Sequence, residues 1–64
     1  MPRKDTGLIW MNGVIRMAGR SDVTVRREKG SYLFYVNDEY RDSLSEDRVM
    51  HMFYQDLKRF IAAL

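Results

Sequence analysis

The sequence predicts an α+β domain: an antiparallel sheet of four to five strands, made of two hairpins and a short fifth strand, with one C-terminal helix packed on one face. Three observations carry this. Asn12-Gly13 stands between the apolar runs "LIWM" and "VIRM", and Asn-Gly is the pair that a type I′ hairpin turn favours, because both central residues need positive φ. Lys29-Gly30 stands in the same way between "VTVRRE" and "SYLFYV", runs rich in β-branched and aromatic residues. From Glu46 onward no Gly or Pro interrupts the chain, and apolar residues recur at helical spacing.

The elements follow in order. "MPRKD" is short and basic, and residues 1–6 are expected to form a mobile arm. The sheet is expected over 7–42. A two-residue loop at Asn12-Gly13 pairs Met11 with Val14, Trp10 with Ile15, Ile9 with Arg16 and Leu8 with Met17. The same loop at Lys29-Gly30 pairs Arg27 with Tyr32, Arg26 with Leu33, Val25 with Phe34, Thr24 with Tyr35 and Val23 with Val36. "AGRSD" joins the hairpins. Asn37-Asp38 ends the fourth strand, and "EYR" continues as a fifth, with Tyr40 on either face depending on the loop length. The helix is expected over 45–63, with Ser45 as N-cap and Glu46 and Asp47 in the first turn, where the helix dipole favours carboxylates. Val49, Met50, Phe53, Leu57, Phe60, Ile61 and Leu64 fall on one stripe of about 120°.

Register then sorts the faces. Leu8, Trp10, Ile15 and Met17, with Val23, Val25, Tyr32, Phe34 and Val36, form the floor under the helix, joined by Arg27 near the turn. The second face collects Ile9, Met11, Val14, Arg16, Thr24, Arg26, Leu33 and Tyr35. A face meant for water alone alternates more cleanly into polar residues. This one has an apolar centre, a tyrosine and two arginines, with no Lys or Glu at its centre, which is the composition of an interface core.

Bulk properties narrow the class. At 64 residues, with 45% hydrophobic and 31% charged residues, the chain reads as one small globular domain near the lower size limit for a self-sufficient core. It has no cysteine and one histidine, so neither disulfides nor a structural zinc site is expected to supplement that core. Good packing or self-association is left, and homodimerisation would also cover the second face. No stretch is long and apolar enough to span a bilayer. "MPRKDTG" lacks the apolar run of a signal peptide, and a cytoplasmic chain complete from Met1 is expected. The net charge is +2, and it is polarised: residues 1–30 carry +4 and residues 31–64 carry −2. A basic half suits an acidic partner.

Catalysis, cofactors and metals find no support in the residues. His51 lies on the solvent side of the helix wheel, no Ser has a base at a recognisable spacing, and the acids flank a turn and a helix start. In "MHM", Met50 points into the buried stripe and His51 away from it, so the three residues do not converge on one ion. The four glycines are isolated, with no phosphate-binding loop among them.

The expected function is therefore that of a non-enzymatic binding protein without cofactor. It would act as a stoichiometric regulator or inhibitor of a larger protein complex, of the kind phages and other mobile elements encode, docking the second face onto an acidic groove. The alternative is direct DNA or RNA binding through Arg16, Arg26, Arg27, Lys29 and Tyr35, with the tyrosine stacking on bases and the cations meeting phosphates.

Overall fold

The structure, a computed structural model, describes residues 5–64. Residues 1–4 of the expected basic arm lie outside the described residues, Asp5 caps the first helix and Thr6 begins it. The order is α1 (Thr6–Met17), β1 (Val23–Glu28), β2 (Ser31–Val36), β3 (Glu39–Ser45), α2 (Glu46–Met50) and α3 (Tyr54–Ala62). The α+β class holds. Among the described residues the sheet has three antiparallel strands in the order β1-β2-β3, not four or five, and there are three helices, not one.

The first hairpin is replaced by α1. Asp5 is its N-cap, and Asp5 Oδ1 accepts from the Leu8 N–H at 3.1 Å. Leu8, Met11, Ile15 and Ala18 then recur at helical spacing along one stripe, extended by Val14, and this stripe packs into the core. A helix has to bury only one side of "LIWMNGVIRM", whereas a hairpin would have had to bury or expose two apolar faces. The end is a Schellman motif: the Gly19 N–H donates to the Arg16 carbonyl at 3.0 Å and the Arg20 N–H to the Ile15 carbonyl at 3.3 Å, with Gly19 at φ 73°. Gly13, expected in a turn at positive φ, is an exposed residue inside the helix.

The second hairpin has the expected register, from Val23 opposite Val36 to Arg27 opposite Tyr32. Lys29 and Gly30 have φ of 47° and 76°, as a type I′ turn requires. Asn37 and Asp38, at 51° and 67°, make a second turn of this kind, so "EYR" grows into the full strand β3. That strand carries an irregularity: Phe34 faces Asp42 and Tyr35 faces Tyr40, leaving Arg41 as the extra residue of a bulge.

All three helices relate to one face of the sheet. Met11, Val14 and Ile15 of α1 and Leu57 and Ile61 of α3 are buried with Val23, Tyr32, Phe34, Val36, Leu44 and Val49 in one cluster. Phe34 has no exposed surface, and its ring meets Phe60 edge to face at 5.5 Å. Arg20 pairs with Asp22 at 2.9 Å and donates to the Ile61 and Ala62 carbonyls at 3.3 and 2.8 Å. It thereby ties the α1–β1 connection to the C-terminal end of α3, where carbonyls lack helical partners.

The expected helix over 45–63 is broken. Ser45 caps α2, its Oγ accepting from the Arg48 N–H at 3.0 Å. The His51 and Met52 N–H groups then reach back only three residues, to Arg48 and Val49, the tight geometry of a helix end. Chain direction changes before α3 begins at Tyr54, whose N-cap, Phe53, makes no side-chain capping bond. The break lets Val49 pack while Leu57 and Ile61 pack against α1, and it turns Met50 and Phe53 outward, each 79% exposed. Neither joins the expected buried stripe, which holds for Val49, Leu57 and Ile61 and for the partly buried Phe60 and Leu64.

Candidate functional site

With the helices on one side, the other face of the sheet is open. Register arranges it in three rows across the strands. Thr24, Tyr35 and Tyr40 form the first, Arg26, Leu33 and Ser43 the second, and Glu28, Ser31 and Ser45 the third. Opposed residues of an antiparallel pair share a face. Tyr35 and Tyr40 touch edge to face, centroids 5.8 Å apart at 72°, so the bulge at Arg41 leaves the two rings in one aromatic pair. Leu33 and Tyr35 are half-buried by their neighbours, whereas Tyr40, Arg26 and Thr24 are exposed.

This brings together Thr24, Arg26, Leu33 and Tyr35, four of the eight residues expected on the contact face. The other four are elsewhere. Met11 and Val14 are buried in the core, because α1 turns them toward the sheet's inner face. Ile9 and Arg16 are exposed on α1 and line a groove of about 700 Å³ between that helix and the start of β1. The expected core set of the first hairpin divides in the same way: Ile15 is buried and Leu8 partly so, but Trp10 and Met17 are exposed.

The nucleic-acid set is scattered as well. Arg26 and Tyr35 lie on the open face, Lys29 lies in the turn, and Arg16 sits on α1. Arg27 belongs to the inner face, where Nη1 pairs with Asp5 at 2.8 Å and Nη2 with Glu46, and its guanidinium lies 5.4 Å from the centre of the Tyr32 ring. These two carboxylates hold the Arg27 pKa above the ordinary arginine value. The Leu8 N–H and Arg27 hold the Asp5 carboxyl below the usual carboxylate range. Arg27 thus joins the N-terminus of α1 to that of α2 and has no charge to spare for a phosphate.

A second surface was not anticipated. Trp10, Tyr32, Glu46, Met50, Met52 and Tyr54 line a groove of about 380 Å³ where α1 meets the α2–α3 junction. Trp10 is 48% and Tyr54 42% exposed. The Asp5 cap three residues before Leu8 and the Gly19 stop were the signals from which α1, and hence the place of Trp10, could have been read.

His51 is exposed, with its Nδ1 2.7 Å from the Asp47 carbonyl oxygen. Among the described residues no three His, Asp or Glu side chains converge as metal ligands, and no helix is long and apolar enough to cross a membrane. In comparisons with known proteins, no family model, no curated protein and no solved structure matches the chain.

Proposed function

We propose that the protein is a non-enzymatic binding module, a stoichiometric regulator or inhibitor that lays the open face of its sheet on a larger protein. The observation that carries this is the uncovered Tyr35–Tyr40 pair beside Leu33 and Arg26, with Thr24, Ser31, Ser43 and Ser45 around them. Tyrosine gives a large contact area for two rotatable bonds, small hydroxyls adapt their hydrogen bonds, and arginine completes the residue types that dominate interface hot spots. A protein partner is favoured over nucleic acid by charge. Arg26 shares β1 and its outer face with Glu28, so the paired rows of the face offer no surplus of cations for a phosphate backbone, whose neutralisation dominates nucleic-acid affinity.

The test uses the full chain as bait in its source cell, with nuclease treatment, alongside Leu33→Asp, Tyr40→Ala and the α1 control Asn12→Ala. The expected result is one partner retained by wild type and the control, lost by both face variants, and indifferent to nuclease. Retention by all four, with circular dichroism showing all four folded, would overturn the proposal. Retardation of arbitrary duplex at low salt that collapses at moderate salt would replace it with the nucleic-acid reading. Sedimentation equilibrium of wild type and Leu33→Asp separates a different partner from a second copy of the chain: a dimer dissociated by the variant means that the face meets itself.

A further inference from the structure

The groove at the α2–α3 junction lies on the helical side of the sheet, apart from the open face, and its chemistry differs. It combines Trp10, Tyr54 and Tyr32 with the thioethers of Met50 and Met52 and the carboxylate of Glu46. Aromatic faces attract cations through their quadrupole. One side of Tyr32 already has a cation, the Arg27 guanidinium, over its ring. The local charge is not balanced: Arg27 alone pairs with both Asp5 and Glu46. Arg27 engages Glu46 through Oε1, and among the described residues no donor engages Oε2. Glu46 lines the groove, so a cationic occupant finds an opposite charge there that an aliphatic one cannot use.

We infer that this groove is a binding site for the ε-ammonium of a lysine side chain, bare or methylated, presented by a protein partner. The aromatic rings take the cation, the methionines take the aliphatic stem, and Glu46 supplies the counter-charge. A single remaining carboxylate oxygen suits a compact point charge, whereas a guanidinium fork is best met by two. The site stands whether or not the open sheet face binds protein, because it shares no residue with that face.

Trp10 is the only tryptophan, so its emission reports on the groove directly. The full chain is titrated at constant ionic strength with N-acetyl-lysine amide, its trimethylated form, N-acetyl-arginine amide and the neutral N-acetyl-norleucine amide. Both lysine probes are expected to change Trp10 emission saturably, and to bind about three- to thirtyfold more tightly than norleucine. Tyr54→Leu and Glu46→Gln should each bring lysine toward norleucine, with the far-ultraviolet dichroism of Tyr54→Leu unchanged. The inference is overturned if norleucine equals lysine, which makes the groove a plain apolar cleft, if arginine binds as well as lysine, or if no probe gives a saturable change. Should Glu46→Gln unfold through loss of the Arg27 contact, Tyr54→Leu alone decides.

Discussion

Replacing Gly13 with alanine should stabilise the protein, and the sign of the effect separates the helix from the hairpin that Asn12-Gly13 suggests. Gly13 lies inside α1, exposed, and an added Cβ would have nothing within 4 Å. Its φ is not among the positive ones. Alanine there therefore meets no strain, and it gains about 0.5–1 kcal/mol in helix propensity because glycine has more backbone freedom to lose. In a type I′ turn the same residue would sit at positive φ, where a Cβ costs about 1–2 kcal/mol. The two readings thus differ by about 2 kcal/mol and in direction. For a domain of this size a gain of that order raises Tm by roughly 2–8 °C. Urea unfolding followed by circular dichroism at 222 nm should show a higher midpoint at unchanged slope. A lower midpoint would refute the helical assignment of residues 6–17 and the site geometry that depends on it.

The companion substitution should have the opposite sign. At Gly7 a Cβ would overlap Tyr32 Oη and come within 2.9 Å of Arg27 Nη1. Tyr32 is a buried core residue, so Gly7→Ala is expected to lower stability by about 1–3 kcal/mol despite the better helix former, and an unchanged urea midpoint would contradict this close approach. Acid should weaken the fold in a narrow window. The Leu8 N–H and Arg27 lower the pKa of Asp5, and Arg20 lowers that of Asp22. Their stabilising contributions are thus fully present above the unfolded carboxylate pKa of about 3.9 and lost as pH falls through the lower folded values. Unfolding midpoints measured from pH 6 to 2 should decline mainly below about pH 4, and Asp22→Asn should make that limb shallower; an unaltered limb would mean that the Arg20 contact does not form in solution.

What was legible in the sequence was what local turn chemistry and short periods decide together. At Lys29-Gly30 the turn residues, the alternation of Val23, Val25, Tyr32, Phe34 and Val36, and the strand propensities all agree, and the register follows to the residue. Thr24, Arg26, Leu33 and Tyr35 share a face for that reason. At Asn12-Gly13 the levels conflict. The turn pair argues for a hairpin, whereas the Asp5 cap, the Leu8–Met11–Ile15–Ala18 spacing and Gly19 argue for a helix. The helix prevails because it has one apolar stripe to bury, and the core supplies the place for it. The break after Met50 has no Gly or Pro to announce it. It is a tertiary effect, in which Val49 on α2 and Leu57 and Ile61 on α3 reach the core only if the chain changes direction between them.

These two departures change the character of the surface as well as the fold. As a hairpin, residues 8–17 would have placed Ile9, Met11 and Val14 on the open face and made it aliphatic, a face best explained by a covering layer. As a helix they send Met11, Val14 and Ile15 into the core, which is how a 64-residue chain without cysteine fills its interior. The paired rows of the open face keep one aliphatic residue, the half-buried Leu33, among tyrosines, hydroxyls, Arg26 and Glu28, mostly side chains that tolerate water when alone and bind well when covered. Such a face does not require permanent burial, so a reversible partner suits it better than an obligate second layer. The same helix brings Trp10 beside the α2–α3 break, where Met50 and Tyr54 turn outward, and so both candidate sites follow from the element that the Asn-Gly pair conceals.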